Sequence, residues 1–192
     1  MNGKQLTKLA RSMFNLGPKD PITVDQLNYV LGMSKPSNYL LQHHTINGKP
    51  LTFNVPDHDT TKALSHRPWQ KMVIDDVDYP DLCVIKSRQL GFSEVGIEQM
   101  IYWLDIHSAD KPNGLYTFPT YRQLNDFYKQ RILPEFESGY YKSLIKDPKT
   151  TTMNGMKIRD SNLIFRTSSQ GSSMEGLKID RLALDEYDRF EN

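Results

Sequence analysis

KSRQLGFSEVG, residues 86–96, is the stretch on which the reading of the chain turns. A phosphate-cradling loop has the form G-x-x-x-x-G-K-[ST], in which glycines let the backbone approach the phosphates while a lysine and a hydroxyl complete the site. Residues 86–93 keep the second glycine as Gly91 and the hydroxyl as Ser93, but Phe92 stands where the lysine belongs and Lys86 where the first glycine belongs. Such a loop wraps around the β-phosphate, so its first and seventh positions both lie near the phosphates. An ammonium on a flexible stem reaches the β- and γ-oxygens from either end. On this reading Lys86 supplies the charge, Gly91 allows close backbone approach, and the following helix directs its first amides at the anion. The Ser93 hydroxyl ligates Mg²⁺, and Arg88 bridges to the γ-phosphate or serves a neighbouring subunit.

Lys, Gly and Ser meet often enough at a strand-to-helix turn that a second motif has to decide. RLALDEYD, residues 181–188, supplies it. Phosphoryl transfer needs a carboxylate to hold the metal, here Asp185, and a base or orienting group for the attacking water, here Glu186. Adjacent residues at a strand end point to opposite sides, one toward the metal and one toward the γ-phosphate.

The surroundings fit an α/β protein. Apolar DLCVI (81–85) reads as a strand, and Val95, Ile97, Met100, Ile101, Trp103 and Leu104 recur at helical spacing over 92–107. GLYTFP is a second strand. Leu124, Phe127, Tyr128 and Ile132 form one stripe of a helix over 120–137, with Pro134 disturbing its end. GMKIRDSNLIFRTSS reads as a hairpin turning at Asp160, Ser161 and Asn162, and RLALDE as the last strand. Strands alternating with long helices predict a mainly parallel sheet flanked by helices, with ligands at the carboxyl ends of the strands. Residues 1–65 are dense in Pro, Gly, Asn and Asp and read as an irregular N-terminal arm, with short helices at 4–14 and about 23–32. Residues 66–192 form the core.

Composition narrows the class. Lys and Arg number 24 against 23 Asp and Glu, a formal charge of +1, so any nucleic-acid contact needs a local patch or a ring of copies. Cys83 is the single cysteine, which excludes a disulfide framework and a cysteine metal site and fits a reducing compartment. No apolar run approaches the roughly 18 residues of a membrane span. His43, His44 and His58 with Asp57 read as exposed loop residues rather than a metal site. Met153, Met156 and Met174 read as packing residues, and Tyr140 and Tyr141 as core or rim. Lys142, Lys146, Lys149, Lys157 and Arg159 read as a solvated basic face.

These stretches resemble the large terminase subunits of tailed bacteriophages, the ATPases that drive DNA into procapsids. SRQLGFSE looks like the terminase Walker A, in a branch that carries the lysine at the start of the loop, as Lys86 stands here. LALDEYD is similar to the family's Walker B. HRPWQKMVI resembles the segment in which a glutamine reads adenine, which would be Gln70, with Trp69 or Arg67 packing nearby. LYTFPTYRQLNDFYKQRILP resembles the strand ending in a Pro-Thr pair and its following helix. FRTSSQGSSMEGLKIDRLALDE is similar to the polar stretch that leads into Walker B, with Glu175 and Gly176 where members often carry an Arg-Gly pair.

The resemblance implies a P-loop NTPase fold of the ASCE type over roughly 66–190, partial at its C-terminus and without the nuclease domain. It implies a Mg²⁺-dependent ATP hydrolase. ATP would be held by Gln70, Lys86, Ser87, Arg88, Gln89, Leu90, Gly91, Phe92 and Ser93, Mg²⁺ by Ser93 and Asp185, and catalysis would rest on Glu186, Lys86 and Arg88. The implied partners are double-stranded DNA, the portal protein, the small terminase subunit and further copies in a ring, with no membrane. The implied place is the host cytoplasm and, transiently, the portal vertex. The rival expectations are a superfamily 2 helicase-like translocase and a non-catalytic assembly fragment that binds portal or small terminase.

Overall fold

The structure is a computed structural model that describes residues 3–46, 48–54, 67–77, 81–85, 90–168 and 175–189. Local signals set the N-terminal helices α1 (Gly3–Met13) and α2 (Val24–Gly32). A capping box starts α2: Thr23 Oγ1 accepts from Gln26 N at 3.2 Å and Gln26 Oε1 accepts from Thr23 N at 2.9 Å. A third helix, α3 (Pro36–His43), lies where SKPSN reads as a breaker. Pro36 occupies its first turn, where the missing amide costs nothing, so the same proline starts a helix. A short ribbon of β1 (Thr45–Ile46) and β2 (Lys49–Pro50) follows. The stretch read as an irregular arm thus carries three helices among its described residues. Its Met33, Tyr39, Leu40, Leu51 and Phe53 enter the main core, and the expected boundary at 65 lies outside the described residues.

Beyond it come α4 (Pro68–Asp75), α5 (Phe92–Ile106), β3 (Asn113–Phe118), α6 (Tyr121–Phe127), α7 (Leu133–Phe136), α8 (Gly139–Leu144), β4 (Gly155–Ile158), β5 (Ser161–Thr167) and β6 (Arg181–Leu184). The larger sheet has the order β4-β5-β3-β6. Its central strand β3 runs parallel to both β5 and β6, while β4 pairs antiparallel with β5, so the fold is α/β with a mixed, mostly parallel sheet.

One face of that sheet is well covered. Ile97, Met100, Ile101 and Leu104 of α5 share a core with Tyr116, Phe118, Leu163 and Phe165, and Phe127 of α6 lies 5.2 Å from Phe118. The opposite face carries Leu115, Ile164, Leu182 and Leu184. Leu182 is 54% exposed and Leu184 44%, so among the described residues helices do not bury both faces as the sequence reading expects.

Four further expectations are corrected. Residues 81–85 form no strand and are exposed, Ile85 to 97%; a short apolar run becomes a strand only where a neighbouring backbone takes up its amides, and none does so among the described residues. The helix over 120–137 is interrupted by a π-helical turn, Tyr128–Ile132, because Pro134 has no amide to bond back and crowds the preceding turn. The β4–β5 turn is Arg159 and Asp160, with Ile158 opposite Ser161; Ser161 is already in the strand and its hydroxyl donates to Leu104 O at 2.7 Å. His43 and His44 are not loop residues in solvent. His43 stacks on Tyr140 at 3.7 Å, and His44, 4% exposed, lies with Nε2 2.7 Å from Glu98 Oε1. His58 and Asp57 lie outside the described residues.

Arg159 also leaves the expected basic face. Its Nε reaches Asp105 Oδ1 at 2.5 Å, and Tyr39 and Tyr140 donate to Asp105 Oδ2 at 2.9 and 2.7 Å. One buried carboxylate therefore ties together α3, α5, α8 and the β4–β5 turn. Burial, then the Asp105 charge, pushes the Tyr39 and Tyr140 hydroxyls up, so both stay protonated and donate. Removing one partner of a buried ion pair costs about 3–5 kcal/mol, and the partial exposure of Arg159 lowers that to about 2–3 kcal/mol. Urea unfolding of Arg159→Ala should show this loss, while Lys157→Ala on the exposed face stays within about 0.5 kcal/mol of the parent.

Candidate functional site

The site is built where α5 begins and β6 ends. Gly91 caps α5 at φ +72°, ψ 15°, a left-handed conformation in which any other residue is strained, and a Cβ there would lie 3.0 Å from Gln70 Nε2. Gln70, almost fully buried on α4, spends its amide on backbone: Oε1 accepts from Arg67 N at 2.5 Å and Nε2 donates to Leu90 O at 2.7 Å. The residue expected at adenine therefore braces the end of the loop. Phe92, where a phosphate loop usually has lysine, packs against Trp69 with ring centroids 5.4 Å apart. That position faces packing rather than an anion. Lys86, Ser87, Arg88 and Gln89 lie outside the described residues.

Ser93 is held close to the sheet by Tyr116, whose hydroxyl donates to Ser93 O at 3.1 Å. The approach requires Gly96, because a Cβ there would lie 2.9 Å from that hydroxyl oxygen. Asp185 follows β6 directly, and its amide donates to Thr117 O at 3.1 Å, extending the parallel ladder by one residue. Burial, then the charge of Asp185, pushes the Tyr116 hydroxyl well above its ordinary range. A permanently protonated hydroxyl thus sits between the first turn of α5 and the carboxylate ending β6.

Glu186 has φ +50°, a left-handed conformation that costs a non-glycine residue about 1–2 kcal/mol. Two side chains hold it. Gln123 Nε2 donates to Glu186 Oε2 at 2.8 Å, and Arg189 Nη1 lies 3.1 Å from the same oxygen. Gln123 is itself fixed by Thr120, whose Oγ1 accepts from Gln123 N at 3.3 Å and donates to Gln123 Oε1 at 2.9 Å. Ser93, Gln123, Asp126, Arg131, Asp185 and Glu186 line one cavity of about 270 Å³.

The sequence-expected Ser93, Asp185 and Glu186 are therefore brought together, while Gln70 sits behind the loop. Sequence reasoning misses Tyr116, Gln123 and Arg189. Thr120-x-x-Gln123 carries a signal, since threonine followed three residues later by glutamine marks a helix start, but here the glutamine amide turns to Glu186. No helix among the described residues is long and apolar enough to cross a membrane. Comparison with protein families, with characterised proteins and with solved structures finds no match to this chain.

The left-handed cap makes a direct prediction. Gly91→Ala should lower the unfolding free energy by about 1–2 kcal/mol in denaturant titration. An unchanged midpoint and slope would mean that the loop does not need this conformation.

Proposed function

We propose that this chain is the ATPase core of a viral DNA-packaging motor, a P-loop NTPase of the ASCE type that couples ATP hydrolysis to translocation of double-stranded DNA into a procapsid. The observation that carries the reading is the convergence of Ser93, Asp185 and Glu186 on one cavity, beyond a left-handed glycine and at the carboxyl end of a parallel strand. A hydroxyl and a carboxylate in that position suit a hard divalent cation such as Mg²⁺, which would neutralise charge on the β- and γ-phosphates. In this reading Lys86, Arg88 and the backbone amides of residues 87–93 hold the phosphates, Gln70 keeps the loop in shape through Arg67 and Leu90, and Ser93 and Asp185 hold the metal.

Glu186 accepts a proton from water as the water oxygen attacks the γ-phosphorus and the bond to the β-phosphate oxygen breaks, giving ADP and phosphate. Gln123 and Arg189 set where that carboxylate points. The partners of the proposal are double-stranded DNA, the portal protein, the small terminase subunit and neighbouring copies in a ring, in the host cytoplasm and at the portal vertex.

Lys86→Ala and Glu186→Gln should each lower kcat for ATP hydrolysis by at least about 100-fold, while Glu186→Gln retains nucleotide binding. Full activity in Lys86→Ala would overturn the role given to that lysine. No ATP binding by the parent protein would overturn the enzymatic reading and favour an assembly module. DNA-stimulated strand separation would favour a helicase-like translocase.

A further inference from the structure

A second cluster of ionisable side chains lies behind the first turn of α5 and takes no part in the proposed nucleotide site. His44, at the C-terminal end of α3, places Nε2 2.7 Å from Glu98 Oε1 and 3.7 Å from Glu94 Oε1. Glu94 and Glu98 stand one helical turn apart on α5, so both carboxylates project toward the same imidazole. One donor atom from each of the three residues falls within 4.8 Å of the others. On the far side of the ring, Glu135 Oε2 lies 3.8 Å from His44 Nδ1 and accepts from Thr45 N and Oγ1 at 3.3 and 3.0 Å.

We propose that His44 Nε2 and the carboxylates of Glu94 and Glu98 form a binding site for a borderline divalent cation of the Zn²⁺ class, with Glu135 standing behind the imidazole. Four observations carry it. The donors come from two elements and converge, which a chance surface group of acids does not do. The set of one imidazole nitrogen and two carboxylates suits a borderline cation and disfavours Mg²⁺, which takes oxygen ligands and keeps its waters. A carboxylate behind a ligating imidazole is a common companion of metal sites, and Glu135, anchored by Thr45, stands 3.8 Å behind the ring, close enough for a charge contact and a small shift short of a hydrogen bond.

The fourth observation is charge. Glu94, Glu98 and Glu135, all at most 13% exposed, face the His44 imidazole, and Arg131 lies 3.9 Å from Glu94. Three carboxylates around one imidazole concentrate negative charge in a largely buried setting, which a divalent cation offsets. The cation takes the Nε2 lone pair and releases the imidazolium proton to solvent, and its two charges offset those of the Glu94 and Glu98 carboxylates. His44 and Glu98 need to part only slightly for ligands at about 2.0–2.2 Å from a central ion. A cavity of about 190 Å³ lined by Gly48, Glu94, Arg131 and Glu135 lies beside the cluster.

The untagged, chelator-treated chain titrated calorimetrically with ZnCl2 or MgCl2 tests this. One equivalent of Zn²⁺ should bind, Mg²⁺ should fail to displace it, and Tm should rise with Zn²⁺. Glu94→Gln and His44→Gln should each weaken binding at least about 10-fold and remove the Tm rise. Asp185→Asn should leave both unchanged, which separates this site from the nucleotide cavity. Absence of stoichiometric uptake overturns the proposal, as does uptake of equal affinity in Glu94→Gln. Should His44→Gln fail to fold, the Glu94 variant, altered at a partly exposed side chain in the first turn of α5, still decides.

Discussion

The parallel pairing of β3 with neighbours on both sides is the constraint on which the rest of this fold depends. Leu115, Tyr116, Thr117 and Phe118 are buried, and the strand fixes two registers at once, Tyr116 opposite Phe165 on one side and Ala183 on the other. Because β6 runs in the same direction, its end coincides with the end of β3, and the ladder delivers Asp185 beside Thr117. Tyr116 then reaches across to Ser93 O, so a single strand sets the distance between the start of α5 and the acidic pair. A slip of one residue would turn Tyr116 to the opposite face and separate the two halves of the site.

Much of this was legible because burial leaves a periodic mark. The apolar spacing over 92–107 yields α5, the alternation in SNLIFRT yields β5, and the short helix expected at about 23–32 is α2. What was not legible depends on partners distant in sequence. DLCVI has the composition of a strand, yet strand formation is a property of a pair, and its five residues are exposed without one among the described residues. SKPSN has the composition of a turn, yet Pro36 serves equally well in the first turn of a helix, and burial of Tyr39 and Leu40 decides for α3. A proline inside a helical stripe announces a disturbance, but whether it yields a kink or a π-helical turn depends on how Tyr128 and Ile132 pack beneath it.

The candidate site divides in the same way. Asp185 and Glu186 are visible in sequence because they end an apolar run downstream of a loop that pairs Gly91 with Ser93, and each motif supports the other. Gln123 and Arg189 carry no such mark, since their role arises from the left-handed turn at Glu186 that brings its carboxylate to them. His44 carries no such mark either, because adjacent histidines in a polar stretch resemble a surface loop; only the fold brings three glutamates around one of them. Those carboxylates outweigh the desolvation that burial imposes and raise the imidazole to about 9.

The central claim is that one anion-binding cavity forms between the start of α5 and the end of β6. Amide chemical shifts recorded with and without Mg²⁺ and a non-hydrolysable ATP analogue test it most directly. Saturable shifts should appear together at Gly91, Phe92, Ser93, Asp185 and Glu186, with α1 and α2 unaffected. Saturable shifts confined to other surfaces, or none at millimolar analogue, would contradict the account.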